Sequence, residues 1–354
     1  MKLGIIGLPQ SGKTTIFNAL TQGDRPTTTA GGRFEVHTAV VDVPDSRVGA
    51  LSKMFNPKKT IYAKVTYADI AGLDGSASKG GISGQLLTEL SQMDAFLHVV
   101  RVFENDQVAH MSGKLDPLRD INNLNSDLLI NDLILVERKL EKLKDEGRKG
   151  GGREKGVIQR ETALFERLYE TLSDEQPLRT LTLNEEEEKA ISGFGFLTRK
   201  KMLIVFNLSE AQAVPAIDTP GIKQVGLMGK LEMEIAQLDP EEAEMFLDEY
   251  GIEEPSLFRM ITLSYEMLDL QSFFTVGEDE VRAWTIRKGT PAQQAAGVIH
   301  SDLQKGFIRA DVIDYESLIA CGGMTEARNQ GKLRLEGKTY VVQDGDIMHV
   351  RFNV

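Results

Sequence analysis

The stretch GLPQSGKT at residues 7–14 constrains the fold of this chain more than any other part of it. It satisfies the pattern G-x-x-x-x-G-K-[ST], and it stands between a short apolar run and an amphipathic segment, the strand–loop–helix context that confirms such a motif. Glycines let the backbone turn its N–H groups inward, and the positive end of the next helix dipole lies at the same point. A glycine-rich turn that binds nothing is the weaker reading, and we predict a loop that wraps a nucleotide phosphate.

Within this loop two side chains have chemical roles. Lys13 reaches the β- and γ-phosphates of a nucleotide, and the Thr14 hydroxyl stands where a Mg²⁺ ligand is required. We predict Lys13 to be catalytic as well as nucleotide-binding, and Mg²⁺ to be the cofactor. The other loop residues expected to bind the nucleotide are Pro9, Gln10, Ser11, Gly12 and Thr15.

A second motif, DIAGL at residues 69–73, lies at the end of an apolar run. Asp69 can hold Mg²⁺, usually through water, and the Gly72 N–H can contact a γ-phosphate and move when it leaves. D-x-x-G alone is weak, but after a complete P-loop it favours a switch NTPase over a small-molecule kinase. In Ras-type GTPases a glutamine follows this glycine and orients water, whereas here the residue is Leu73. Either hydrolysis is very slow or another residue positions the water.

A third motif, NLSE at residues 207–210, follows an apolar strand where guanine-specific proteins carry Asn-Lys-x-Asp. Glu210 in place of the shorter aspartate, and the loss of the lysine stem, disturb the geometry that reads guanine. This weakens a GTP assignment without proving ATP. A plain loop with a helix cap is the alternative. We predict that Asn207 and Glu210 flank the base.

Apolar runs alternate with helical periods, which predicts a doubly wound, mostly parallel α/β sheet. The runs lie at residues 3–6, 36–43, 61–70, 95–102, 202–206 and 222–227. Between them, apolar residues spaced by three and four positions before GRKGGGR, and a second helical stripe of apolar residues after it, predict an inserted antiparallel helical arm. The predicted divisions are a P-loop domain at 1–125 and 181–270, the arm at 126–180, and a small domain at 271–354.

Composition sets outer limits on function. The net charge of −12 argues against a general nucleic-acid coat. The single cysteine, Cys321, cannot form an internal disulfide and indicates a reducing compartment. Neither a signal peptide nor a membrane span is expected. A basic arm tip, with Arg148, Lys149, Arg153 and Lys155, either contacts RNA phosphates or is an ordinary solvated turn.

Several stretches together resemble the YchF or Obg-like ATPase family over nearly the whole chain. They include GLPQSGKTTIFNALT, DIAGLDGSASKGGISGQLL, HVVRVFEND, NLSE and VRAWTIRKGTPAQQAAGVIHSDLQKGFIRADVI. The resemblance implies a P-loop NTPase with an inserted helical arm and a C-terminal TGS domain of ubiquitin-like β-grasp fold. It also implies preference for ATP over GTP, association with ribosomes or ribosomal RNA, and a cytoplasmic location, and we expect a monomer.

The resemblance further implies that a histidine replaces the missing glutamine, and that histidine corresponds to His110. Gly229, in GLMGKLE, falls in the family's adenine-wall segment and is predicted to bind nucleotide, although the segment departs from the family's small residues. The first switch also departs, because RPTTTAGGRFEVHT stands in place of NYPF-x-TIEPN. The usual second Mg²⁺ ligand falls near Arg33, so it is missing or has moved to Thr27, Thr28 or Thr29.

The sequence therefore predicts a nucleotide-dependent switch ATPase that acts on or near the ribosome. Two alternatives stay open: a GTPase of the same fold, and a nucleotide-gated RNA-binding adaptor with negligible turnover.

Overall fold

The computed structural model describes residues 1–23, 36–70, 82, 84–105, 110, 113–149, 153–210, 212–249, 252 and 254–353. The strands are β1 (Lys2–Ile6), β2 (Val36–Asp42), β3 (Lys59–Ile61), β4 (Lys64–Ile70), β5 (Ala95–Arg101), β6 (Lys201–Asn207), β7 (Lys223–Leu227), β8 (Leu270–Thr275), β9 (Glu280–Arg287), β10 (Phe307–Asp314), β11 (Arg334–Glu336) and β12 (Asp346–Phe352). The helices are α1 (Lys13–Thr21), α2 (Ser46–Phe55), α3 (Gly84–Ser91), α4 (Pro117–Lys149), α5 (Lys155–Ser173), α6 (Glu185–Ile191), α7 (Gly229–Gln237), α8 (Pro240–Glu249), α9 (Ser256–Met267), α10 (Ala292–Ile299), α11 (Ser301–Lys305), α12 (Tyr315–Cys321) and α13 (Met324–Asn329).

The first sheet has the strand order β2-β4-β1-β5-β6-β7. The pairs from β4 through β1, β5 and β6 to β7 are all parallel. Every residue of β5 is buried, as expected of a strand covered on both faces. The strand order reverses around β1, so the carboxyl ends of β1, β4 and β5 meet at a place where such sheets bind ligands. This confirms the predicted doubly wound α/β fold.

One predicted strand divides into two. The apolar run at residues 61–70 was expected to form one strand, but the structure contains β3 and β4, which belong to different sheets. Between them the Ala63 carbonyl accepts a hydrogen bond of 2.8 Å from the Val43 N–H. The polypeptide therefore leaves one sheet and enters the other within a few residues, which hydrophobicity alone does not signal.

The helical arm consists of α4 and α5. Apolar side chains of both helices share one buried cluster, which includes Val136, Leu143, Ile158, Phe165 and Leu168. Ion pairs join Lys139 to Glu161 at 2.6 Å and Arg153 to Glu146 at 3.0 Å, so the helices run antiparallel, as predicted. Within the described residues, no helix combines the length and apolar character that a membrane span requires.

The base of the arm is fixed by one buried carboxylate. Asp132 of α4 accepts hydrogen bonds from the backbone N–H groups of Leu197 at 2.9 Å and Thr198 at 2.7 Å, and from the Thr198 hydroxyl at 2.7 Å. Burial raises the pKa of Asp132, against the effect of these donors. The arm therefore leaves the P-loop domain at a fixed point.

The chain divides into two compact units, one formed by Met1–Ala39 and Thr66–Leu257, the other by Val40–Val65 and Phe258–Val354. The second unit contains a sheet of order β11-β10-β12-β8-β9-β3. Its strands β8 and β12 are parallel neighbours, β8 and β9 form an antiparallel pair, and apolar residues of α10 share a core with them. This is the β-grasp arrangement predicted for the C-terminal domain. The segment with α2 and β3 belongs to this unit and was not part of the sequence prediction.

Candidate nucleotide site

The P-loop joins β1 to α1, and its two motif glycines are required by close contacts. Gly12 has φ of +93°, and a Cβ atom built there would contact the Asn207 side-chain nitrogen. Gly7 has φ of +152°, and a Cβ there would contact the Val99 carbonyl oxygen. Only glycine tolerates both the backbone conformation and the lack of space. The loop is thus held tightly between β5 and the end of β6.

Lys13 lies across this loop. Its Nζ atom donates hydrogen bonds to the carbonyls of Gly7 at 2.9 Å and Leu8 at 3.0 Å. Burial lowers the pKa of Lys13 to about 8, and the nearby charge of Asp69 opposes that effect. A buried ammonium group whose hydrogen-bond acceptors are two neutral carbonyls is stabilised further when an anion binds beside it. The geometry therefore favours phosphate binding.

The two residues that the sequence predicts as metal ligands, Thr14 and Asp69, lie in contact. The Thr14 hydroxyl donates a hydrogen bond of 3.0 Å to Oδ2 of Asp69. The contact follows from the sheet, because Ile5 of β1 pairs with Asp69 of the parallel strand β4. A hydroxyl and a carboxylate at this distance are oxygen ligands of the kind that Mg²⁺ binds.

The other loop residues lie where the motif places them. Gln10 has a positive φ of 63°, which turns the loop, and Ser11 is buried. Within the described residues, Oε1 of Gln10 and Oγ of Ser11 are buried without a hydrogen-bond partner. Pro9 and Thr15 are partly buried. The Ser11 hydroxyl can donate to a phosphate oxygen, whereas Oε1 of Gln10 can only accept a hydrogen bond.

Asn207 holds three segments together. Its Nδ2 donates to the Ser11 carbonyl at 3.0 Å, and its Oδ1 accepts from the Gly229 N–H at 3.0 Å. Both amide atoms are therefore engaged by the protein, and Gly229 is buried at the start of α7. Glu210, the last residue of NLSE, is exposed. The structure brings Asn207 and Gly229 together with the P-loop and leaves Glu210 at the surface.

His110 lies against the first turn of α4. Its Nε2 is 2.8 Å from Oδ2 of Asp120, and the two side chains are only 8% and 5% exposed. Arg119 donates to the other oxygen of Asp120, from Nε at 3.2 Å and from Nη2 at 3.0 Å. Neither Asp120 nor Arg119 can be selected from the sequence, because no local pattern links them to a histidine in the preceding loop.

Several predicted residues lie outside the described part of the chain. They are Gly72, Leu73, Arg33 and the possible switch threonines Thr27, Thr28 and Thr29. The part played by Gly72 at the γ-phosphate stays a prediction.

Comparison with known proteins identifies the family. A family model described as "50S ribosome-binding GTPase" matches residues 2–139, and the model for the YchF GTPase C-terminal region, described as "Protein of unknown function (DUF933)", matches residues 270–353. The chain is 40% identical over 365 residues to the ribosome-binding ATPase YchF of Bacillus subtilis, covering 99% of each chain. It is 43% identical over 364 residues to the protein of that name from Haemophilus influenzae, covering 100% of this chain and 99% of the other. The chain belongs to the YchF family.

The structure of the Schizosaccharomyces pombe YchF GTPase agrees with this assignment. It matches with a TM-score of 0.86 and 34% identity, covering 99% of this chain and 97% of that one. The YchF resemblance found in the sequence is thereby confirmed. The names of these YchF relatives differ in one respect, since the bacterial proteins are called ATPases and the yeast structure a GTPase.

Proposed function

We propose that this YchF-family chain is a Mg²⁺-dependent ATPase that hydrolyses ATP to ADP and phosphate and associates with ribosomes in the cytoplasm. The observation that carries the proposal is the convergence of Lys13 and the Thr14–Asp69 pair on one glycine-bounded loop. Phosphoryl transfer asks a protein chiefly for positioning and charge stabilisation, and these groups supply both.

The Thr14 hydroxyl and the Asp69 carboxylate fit Mg²⁺. Across the described residues, no group of three or more His, Cys, Asp and Glu forms a complete metal site. Phosphate oxygens and water would therefore complete the coordination, as is usual for Mg²⁺ in nucleotide sites. When bound, the ion neutralises charge on the phosphates.

The base site supports ATP over GTP. Guanine-specific proteins use an aspartate to accept two guanine N–H groups, whereas this chain carries the longer and exposed Glu210. Asn207 has both amide atoms engaged by Ser11 and Gly229. We assign Asn207 to shaping the base site and Glu210 to its rim.

Water positioning is assigned to His110, because Leu73 has no polar group. The segment that contains His110 follows β5, whose carboxyl end lies beside that of β1, where the P-loop begins. A neutral imidazole can accept a hydrogen bond from water and hold it for attack.

A direct test measures affinity for ATP, GTP, CTP and UTP by calorimetry, and phosphate release with and without ribosomes. The proposal expects ATP to bind more tightly than GTP, Mg²⁺ to be required for hydrolysis, and the protein to cosediment with ribosomes. Tighter binding of GTP would favour the GTPase alternative, which the name of the yeast relative and one matching family description support. Negligible phosphate release that ribosomes leave unchanged would favour an adaptor.

A further inference from the structure

We infer that Asp120 is a positioning residue for His110: its carboxylate accepts a hydrogen bond from Nε2, and it thereby holds the imidazole in one orientation and in the tautomer with hydrogen on Nε2. The inference rests on the water-positioning role proposed for His110. It assigns a second residue to hydrolysis, one that acts only through the first.

The contact is short and sheltered from solvent. Nε2 of His110 lies 2.8 Å from Oδ2 of Asp120, and both side chains are almost fully buried. A hydrogen bond in such surroundings is stronger than one in water. It also limits rotation of the ring, because a turned ring would leave the buried carboxylate oxygen without its donor.

The chemistry of the carboxylate determines which nitrogen carries the hydrogen. An ionised carboxylate only accepts hydrogen bonds, so the ring nitrogen that faces it must donate. Arg119 occupies the other oxygen, with Nη2 at 3.0 Å from Oδ1. The buried Arg101 guanidinium also interacts electrostatically with Asp120. Two cations therefore lie beside the carboxylate that faces the ring, and the hydrogen of this contact lies on Nε2.

Asp120 lies on a rigid helix and can therefore fix the orientation of the His110 side chain. Its N–H donates to the Asp116 carbonyl at 3.0 Å in the first turn of α4, a helix of 33 residues. The helix packs through Leu124 and Leu128 into the core beneath the sheet. A functional group supported from a rigid helix is held more accurately than one supported from a loop. The same division of work, a base oriented by a buried carboxylate, recurs in hydrolytic triads.

The decisive variant is Asp120→Asn. The amide offers one acceptor oxygen, which the permanently charged Arg119 takes, and its NH₂ group then faces His110. That donor favours a lone pair on Nε2 and hydrogen on Nδ1, the opposite tautomer. We expect single-turnover ATP hydrolysis to slow by about tenfold or more, as for other partners that orient functional histidines, while ATP affinity stays within a few fold. Asp120→Glu, which keeps the carboxylate, is expected to recover part of the rate.

Asp116→Asn is the matched control. It removes one charge from the same end of α4, where Asp116 accepts from the Arg119 N–H at 3.0 Å, and asparagine caps helices equally well. We expect its hydrolysis rate to equal that of the wild-type protein. The double variant His110→Ala/Asp120→Asn is expected to be no slower than His110→Ala alone, because Asp120 acts through the imidazole.

Nitrogen-15 NMR of histidine-labelled protein reads the tautomer directly, with the His110 signals identified by their loss in His110→Ala. Hydrogen on Nε2 in the wild-type protein and on Nδ1 in Asp120→Asn would support the inference. Hydrogen on Nδ1 in the wild-type protein would overturn it even if Asp120→Asn failed to fold. If His110→Ala hydrolyses ATP slowly but Asp120→Asn hydrolyses it at the wild-type rate, the inference is overturned and the proposed function stands. If His110→Ala hydrolyses ATP at the wild-type rate, both the role of His110 and the inference are overturned.

Discussion

The side-chain nitrogen of Asn207 donates a hydrogen bond of 3.0 Å to the carbonyl of Ser11, 196 positions earlier in the chain. The same amide accepts from the Gly229 N–H, so one side chain connects the phosphate loop, the end of β6 and the start of α7. The residue that the sequence places beside the base is therefore also a structural link between the two halves of the nucleotide site.

Replacing Asn207 by alanine is expected to lower the free energy of unfolding by about 2–4 kcal/mol. The change leaves the Ser11 carbonyl and the Gly229 N–H unpaired in a buried place, and each unsatisfied group costs about 1–3 kcal/mol. Urea denaturation followed by circular dichroism measures the effect. Glu210→Ala, at an exposed position of the same motif, is the comparison and is expected to stay within about 0.5 kcal/mol of wild type. Equal stability of the two variants would contradict the structural role of Asn207.

Replacing Lys13 by alanine is expected to reduce ATP affinity strongly and to leave the fold intact. The ammonium is the point charge of the loop, and contacts between charged groups are stronger than neutral hydrogen bonds. Calorimetry with ATP checks this, with Lys189→Ala on α6 as an exposed lysine control. Unchanged ATP affinity in Lys13→Ala would contradict the P-loop assignment.

The lowered pKa of Lys13 also predicts a pH dependence of binding. With a pKa of about 8 in the nucleotide-free protein, Lys13 loses its proton as the pH rises through 8. Bound phosphates favour the protonated form, so binding takes up protons above that pH, and ATP affinity falls between pH 8 and 10. Calorimetry in buffers of different ionisation enthalpy counts the protons. A proton count of zero at pH 9 would show that Lys13 does not titrate with binding.

His110→Ala is expected to keep ATP affinity within a few fold and to lower turnover about tenfold or more, a rise of about 1.4 kcal/mol in the barrier. In the proposed mechanism the imidazole only places the water, while Lys13 and bound Mg²⁺ neutralise the charge of the phosphates. Single-turnover phosphate release separates this step from binding. Turnover at the wild-type rate would assign water positioning to another group.

Ribosome association is expected to depend on cations of the C-terminal sheet unit. Arg287, Lys288, Lys305 and Arg309 are exposed, and they form no ion pair with any described residue. Replacing all four with glutamine is expected to weaken cosedimentation with ribosomes and to reduce its dependence on salt. The matched set on the arm is Arg138, Lys142, Lys144 and Arg148. If the arm set weakens association and the C-terminal set does not, the arm is the contact.

Glu232→Gln is expected to change how stability depends on pH. Burial raises the pKa of Glu232 to about 7, although the N–H groups of Ser256 and Leu257 donate to its carboxylate. Between about pH 4.5 and 7 the native state then binds more protons at this group than the unfolded state, so its contribution is present at low pH and is lost as the pH rises through 7. Urea denaturation at pH 5, 6, 7 and 8 is expected to show that the free energy of unfolding of Glu232→Gln rises relative to that of the wild type as the pH increases. A difference between the two free energies of unfolding that stays constant over this pH range would show that Glu232 does not titrate in it.

The arrangement of Lys13, Thr14 and Asp69 could be predicted because it is local. A glycine-bounded loop with Lys13 and Thr14 carries its own backbone geometry, and Asp69 lies on the strand beside it, so a motif describes the arrangement. The helical arm could be predicted equally well, since its apolar spacing is a property of each helix.

The contacts of Asn207 and His110 could not be predicted in the same way. The Asn207 side chain meets Ser11 across the sheet, and His110 meets a carboxylate in the next helix. Such pairs depend on how elements pack, and a single sequence carries no periodic signal for them. The strand β3 was missed for a related reason, because three residues give no indication of which sheet they join.

The pairing of β3 with β9 sets an order for biosynthesis. Lys59 lies beside Glu280 in the finished sheet, and Ile61 lies beside Arg282. At about 5–20 residues per second, the roughly 220 residues between them take about 10–40 s to translate. During that interval the early strand has no partner, although the P-loop region before it has already been translated. The nascent chain must therefore carry an unpaired strand edge for most of its own translation, and such an edge is prone to aggregation until β9 is synthesised.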